Sequence, residues 1–246
     1  MTVIVVSGTG TEIGKTVTTA AVAALALAAG RSVAMLKPAQ TGVAPGEPGD
    51  AQEVKRLAGD AVTTLELARF PEPLAPNTAA RRAGMEPVRP HEIAEAAQKL
   101  STEHDLVLIE GAGGLLVRYD DEGATLADAA RLLSAPVLVV ASAGLGTLNS
   151  TALTAEALRA RGLTPLGVTI GSWPTAPDLA SRCNLADLPR SANAPLLGAV
   201  PQGAGTLTHP NFRTHAADWL APQLGGRWNA ETFTEREAPR GVEVTG

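Results

Sequence analysis

A single α/β domain, a parallel sheet with helices on both faces, is the fold this sequence predicts, and three observations predict it. Short aliphatic runs alternate with longer alanine-rich helical patterns. The runs are continuously apolar rather than alternating, as strands covered on both faces are. Apolar residues make up 45 % of the 246 residues while aromatics make up 3 %, so a sizeable core must be built from Ala, Val, Leu and Ile. Strand, helix, strand repeated in this way winds a parallel sheet.

In chain order, the predicted strands are 3–7 (VIVVS), 33–37 (VAMLK), 106–110 (LVLIE), 137–141 (VLVVA), 165–170 (PLGVTI) and 196–200 (LLGAV). The predicted helices are 15–29, 50–59, 90–102, 125–134, 147–161 and 211–223. Two segments break the rhythm. Residues 38–49 (PAQTGVAPGEPG) are rich in Gly and Pro and read as a loop at a strand's carboxyl end. Residues 70–90 hold five prolines and read as a second long connection. Long loops in compact α/β proteins are disproportionately functional. The domain is expected to span 1–224. Residues 225–246, polar and non-periodic, read as a frayed tail or a peripheral appendage.

The segment GTGTEIGKT (8–16) follows the first apolar run directly. Its end, Gly14-Lys15-Thr16, is that of a phosphate-binding loop, but the residue five before Gly14 is Thr9, where the usual spacing has glycine. Context supports the motif: a buried strand, a glycine-rich loop, Lys-Thr, then a long helix whose N-terminus attracts phosphate. The fold is therefore expected to be of the P-loop NTPase type. Lys15 can reach the β- and γ-phosphates, and the Thr16 hydroxyl is placed to ligate Mg²⁺. Glu110 ends a strand at the sheet edge where ligands bind and can complete the metal site. Asp50 begins a helix; capping alone and capping with metal binding are equally compatible with its position. Lys37 ends the second strand, either as a solvated strand-end lysine or as a second cation facing the same crevice.

Together these pieces resemble dethiobiotin synthetase of biotin biosynthesis. The resemblance is carried by GTGTEIGKT (8–16), KPAQTG (37–42), Asp50, PLAP (73–76), EGAGGLLV (110–117), LGTLN (145–149) and PQG (201–203). That family has the longer glycine spacing, so the irregular loop is a family form. The resemblance implies an ATP-dependent carboxylation of 7,8-diaminopelargonate by CO₂ (from bicarbonate), then ring closure to a cyclic urea through a carbamate and a carbamic-phosphoric anhydride. It implies catalytic roles for Lys15 and Lys37, and Mg²⁺ held by Thr16, Asp50 and Glu110. Nucleotide contacts fall to Glu12, Ile13, Gly14, Lys15, Thr16, Val17, Gly171, Ser172, Pro201, Gln202 and Gly203. Substrate contacts fall to Thr11, Thr41, Gly111, Ala112, Gly113 and Asn149, with the amides of 111–114 able to face an anion. Family members are homodimers, and Asn149 is expected to reach across to the substrate's carboxylate tail. The family's adenine-reading asparagine is missing: Gly171-Ser172-Trp173 stand in its region, so ATP is expected alongside other nucleoside triphosphates.

The nearest alternative is a regulatory ATPase of the partitioning or targeting type, which carries a signature lysine four residues before the last P-loop glycine. Gly10 occupies that slot here. A cobyrinate-type synthase would need a nucleophilic cysteine, and Cys183, the only cysteine, sits in SRCNLAD without such a context. The net charge of −5 argues against general binding to nucleic acid or anionic lipid. The apolar stretch 20–29 is too short to span a bilayer, and the N-terminus lacks the charged region of a signal peptide. These features, with the single cysteine, predict a cytoplasmic protein.

Overall fold

The computed structural model describes residues 2–238. Its strands are β1 (Thr2–Gly8), β2 (Val33–Thr41), β3 (Val62–Phe70), β4 (Leu106–Glu110), β5 (Val137–Ala141), β6 (Pro165–Trp173) and β7 (Leu196–Pro201). All join one parallel sheet in the order β3-β2-β4-β1-β5-β6-β7. The helices are α1 (Lys15–Ala28), α2 (Asp50–Ala58), α3 (Pro76–Ala83), α4 (Pro90–Glu103), α5 (Leu126–Leu133), α6 (Thr147–Arg159), α7 (Leu179–Ala192), α8 (His209–His215) and α9 (Ala230–Glu237). From β1 the chain steps outward through α1 and α2 to β2 and β3, then reverses through β4 to β5, β6 and β7. With right-handed crossovers the reversal puts α1 and α2 on one face and α4 to α7 on the other. The carboxyl ends of β1, β2 and β4 therefore frame a crevice where the winding changes direction.

All six predicted strands are present, and their central residues are sealed from solvent, including Val5, Leu36, Ile109 and Val139. Four expectations need correction. A seventh strand, β3, lies at the sheet edge; its sequence VTTLELARF mixes Thr, Glu and Arg because an edge strand is only partly covered. β2 continues through 38–41, which the Pro-rich composition had marked as loop. Beyond Leu36 it pairs only with β3, and Pro38 falls between paired residues Lys37 and Ala39, where no donor is required. The 70–90 connection contains α3, with Pro76 in its first turn and Gly84 capping its end at φ 64°. The predicted helix 211–223 is only α8 followed by 3₁₀ turns at Ala216–Asp218 and Pro222–Leu224, interrupted where Leu220 bridges Gly198 of β7.

α7 was not foreseen. Its N-cap is Asp178, whose carboxylate accepts the Ser181 N–H at 2.7 Å. The described part of the 225–246 segment is an ordered appendage: Trp228 is buried, Asn229 caps α9, and Phe233 packs edge-on against Trp173 at 5.4 Å. Residues 239–246 lie outside the described residues. Trp173 is thus a packing residue.

Candidate active site

The crevice at the carboxyl ends of β1, β2 and β4 has a volume of about 810 Å³. Its floor is the loop between β1 and α1. Gly14 adopts φ 91° and Glu12 φ 58°, so successive amides turn inward at the start of α1, the geometry of an anion nest. The left-handed turn at Gly14 has no space for a side chain, since an added Cβ would lie 2.1 Å from the Gly171 carbonyl oxygen. The Lys15 ammonium curls over the loop and donates to the Gly10 carbonyl at 2.7 Å. It is buried, and that burial, then the neighbouring Lys37 cation, pushes its pKa below the ordinary lysine value.

Glu110, at the end of β4, is completely buried and fully engaged. Thr16 Oγ1 donates to its Oε1 at 2.9 Å, Thr19 Oγ1 to its Oε2 at 2.7 Å, and Lys37 Nζ to Oε1 at 3.0 Å. Lys37 also pairs with Asp50 at 2.5 Å and donates to the Gly111 carbonyl at 3.2 Å. Burial alone would lower the Lys37 pKa. The Glu110 and Asp50 carboxylates more than offset it and hold the ammonium above the ordinary lysine range. Of the alternatives left open by sequence, that for Lys37 is resolved, since it faces the crevice, whereas the capping common to both readings of Asp50 is corrected, since Asp50 does not cap α2. The N-cap is Gly49, whose N–H donates to Gln52 Oε1 at 2.9 Å, while the Asp50 carboxylate turns to Lys37.

Thr16, Asp50 and Glu110 thus converge on one locus, and their donors are all oxygen. Such a set suits Mg²⁺, which takes one or two carboxylates and fills its remaining positions with water and phosphate oxygens. Among the described residues no group of three or more His, Cys, Asp or Glu could hold a metal, so a dication here would lean on its nucleotide. Thr19 escaped the sequence reading. The available signal was its spacing, three residues after Thr16 on the same helix face.

Thr11, Thr41, Ala112 and Gly113 line the same crevice. The expectation of four free amides at 111–114 is corrected: the Gly111 N–H donates to the Val6 carbonyl at 3.0 Å, and the Ala112 N–H to the buried Tyr119 hydroxyl at 3.1 Å. Among the described residues, the amides of Gly113 and Gly114 have no such partner. Gly171 is not an open face for a base. An added Cβ would lie 2.0 Å from the Ile13 carbonyl oxygen, so β6 presses directly on the back of the P-loop. Ser172 and Gln202 line a separate cavity of about 350 Å³ beside the crevice. The Gln202 N–H donates to the Trp173 carbonyl at 2.7 Å. Pro201 ends β7, and Gly203 turns at φ 83° into the 204–206 segment, where Gly205 approaches Val17. Asn149 is exposed in the first turn of α6, outside this chain's crevice.

A doubly covered parallel sheet with a lysine-bearing phosphate loop at its switch point, and carboxylates at the end of β4 and the start of α2, defines a P-loop nucleotide-dependent enzyme. The AAA domain family matches residues 2–208. Among solved structures, a ParA family ATPase from Chlorobium tepidum superposes with a TM-score of 0.55 at 13 % identity, covering 96 % of this chain and 98 % of that one. The MinC:MinD cell division protein complex of Aquifex aeolicus gives 0.54 at 12 % identity, over 88 % and 86 %. At such identities the likeness is one of fold alone.

Sequence relatives are far nearer. The ATP-dependent dethiobiotin synthetase of Streptomyces avermitilis is 72 % identical over 239 residues, covering 97 % of this chain and 100 % of the relative. That of Saccharopolyspora erythraea is 68 % identical over 229 residues, covering 93 % and 100 %. The chain belongs to the family of ATP-dependent dethiobiotin synthetases, ligases of biotin biosynthesis.

Proposed function

We propose that this crevice joins 7,8-diaminopelargonate and CO₂ into dethiobiotin at the expense of ATP, with Lys15 and Lys37 as its catalytic cations. One amine of the substrate adds to CO₂ and loses a proton, giving a carbamate. A carbamate oxygen attacks the γ-phosphorus, and ADP leaves. The second amine then attacks the carbonyl carbon, loses its proton and expels phosphate, closing the five-membered urea.

The obstacle to the middle step is that a carbamate and a triphosphate, both anions, must meet at bonding distance. Positioned cations in a site shielded from water lower that barrier most. Lys15 lies over the phosphate loop. Lys37 stands between the Asp50 and Glu110 carboxylates, charged and facing the substrate side. Thr16, Asp50 and Glu110 would hold Mg²⁺, which neutralises phosphate charge when bound. Thr11 and Thr41 hold the amine or carbamate end, and the Gly113 and Gly114 amides face an anion. Glu12, Ile13, Gly14 and Val17 surround the nucleotide's phosphates, Gly171 backs the loop from β6, and Ser172 with the 201–203 segment would lie toward the base.

The observation that carries this reading is the chain Thr16–Glu110–Lys37–Asp50, linked at 2.9, 3.0 and 2.5 Å across four separate segments of the sequence. The protein works as a cytoplasmic homodimer in which Asn149 of one copy completes the other copy's site. Exposure of Asn149 with its neighbours Leu145 and Leu153, 93 % and 58 % exposed, supports a covering partner. No helix among the described residues is long and apolar enough to cross a membrane. Incubation with the diamine, bicarbonate, Mg²⁺ and ATP should yield dethiobiotin by mass. ATP hydrolysis without that product would overturn the reading.

A further inference from the structure

Asp50 reaches Lys37 from the first position of α2, and that position has an unusual support. A helix start leaves its first N–H groups without intrahelical partners, and the N-cap side chain normally supplies an oxygen. Here the N-cap is Gly49, which has no side chain. The first of the helix's free N–H groups, that of Asp50, is satisfied from β2: Gln40, 4 % exposed, accepts it on Oε1 at 2.8 Å. Gly49 is required by this contact, because an added Cβ would stand 2.6 Å from Gln40 Oε1.

A second support comes from β3. Arg69 is bound bidentately by Glu66, at 2.7 and 2.9 Å, which fixes the plane of its guanidinium. The same guanidinium donates to the carbonyls of Glu47 at 2.6 Å and Ala44 at 3.2 Å. Those carbonyls belong to the Gly- and Pro-rich segment leading into α2, which has little regular structure of its own to hold it. Neither Gln40 nor Arg69 bonds to Lys37 or Glu110 in the structure.

We propose that Gln40 and Arg69 are positioning residues for Asp50. Gln40 caps α2 from the neighbouring strand, Arg69 clamps the segment that feeds it, and together they set the Asp50 carboxylate at the metal locus. The inference rests on the reading of Asp50 as a metal ligand given above. If Asp50 drifts, the nucleotide's metal loses a ligand, while the P-loop and the diamine contacts remain.

The test compares Gln40→Leu, Gln40→Glu, Arg69→Met and Asp50→Asn with the parent enzyme. It reads the Mg²⁺ concentration for half-maximal enhancement of ADP binding by calorimetry, together with the Mg²⁺ dependence and diamine KM of turnover. Gln40→Leu and Arg69→Met should each raise the Mg²⁺ requirement about 10-fold, the lower end of what a lost orienting partner costs a metal site, with the diamine KM unchanged. Gln40→Glu keeps an acceptor oxygen and should restore the parental requirement. A merely structural role would lower the melting temperature and leave the Mg²⁺ midpoint in place. Arg69→Met lies on an edge strand and decides the matter should Gln40→Leu fail to fold. If Asp50→Asn raises the requirement while folded Gln40→Leu and Arg69→Met do not, the positioning role is overturned. If Asp50→Asn itself changes nothing, the metal reading of Asp50 falls, and this inference with it.

Discussion

Lys15 and Lys37 are both buried, yet their surroundings push their pKa values in opposite directions. Lys15 sits in a loop of backbone groups with another cation nearby, and its pKa is lowered. Lys37 sits between two carboxylates, and its pKa is raised. Either alanine variant should cut turnover by about 10²–10³-fold, the usual loss for a transition-state electrostatic contact. The two should part in stability. Lys15→Ala relieves a desolvated cation and should leave the melting temperature unchanged or higher. Lys37→Ala leaves Glu110 buried without its cation, a change that costs about 3–5 kcal/mol in comparable sites, and should melt markedly lower. Parental turnover in Lys37→Ala would remove Lys37 from the mechanism.

The lowered Lys15 pKa fixes the sign of a pH effect. Its charge is lost, as pH rises, before that of an ordinary lysine. Binding of a non-hydrolysable ATP analogue should therefore weaken on a limb that begins below pH 10.5, and this limb should be absent in Lys15→Ala. A flat profile up to that pH would contradict the assignment. Base choice also belongs to this scale. An amide side chain donates and accepts at once. Gly171 cannot supply one, and a side chain there would collide with Ile13. Losing one bidentate contact forfeits roughly 1–3 kcal/mol of discrimination, so kcat/KM for ATP, CTP, GTP and UTP should agree within about 100-fold. A larger preference for ATP would mean that another group reads adenine. Gly171→Asn should weaken binding of every nucleotide rather than restore selectivity.

Among elements, the strand ends and helix starts carry the site, which is why much of it was legible in sequence. Lys37 and Glu110 close apolar runs and Asp50 opens a polar helix, which marked all three as candidates near the carboxyl edge of the sheet but left the orientation of Lys37 and the role of Asp50 open. β3 was hidden because an edge strand tolerates Thr, Glu and Arg at positions a central strand must seal. α7 was hidden because LASRCNLADLPRSA lacks a clean apolar stripe and carries Pro189 internally. Gln40 and Arg69 act through contacts to the segment before α2 and to its first residue that no local pattern announces, and Tyr119 through a hydroxyl turned back to Ala112. Glu110→Gln tests the junction of α1, β2 and β4. An amide is a poorer ligand for a hard dication, so the Mg²⁺ requirement should rise while diamine affinity stays close to parental. Equal Mg²⁺ dependence would give Glu110 a purely structural role as the acceptor for Thr16, Thr19 and Lys37.

At the scale of the whole molecule, the proposed homodimer is tested at Asn149, which is exposed beside Leu145 and Leu153. Lys15→Ala and Asn149→Ala chains should each be inactive alone and partly active when mixed, because one site of a mixed dimer then keeps both residues. No recovery after demonstrated subunit exchange would confine Asn149 to its own chain or to no role. The central claim, that a carbamate oxygen attacks ATP within this crevice, is tested most directly by isotope. Turnover started with ¹⁸O-labelled CO₂, before exchange with water, should release phosphate carrying one labelled oxygen in step with dethiobiotin. Unlabelled phosphate from an enzyme still making product would contradict the claim.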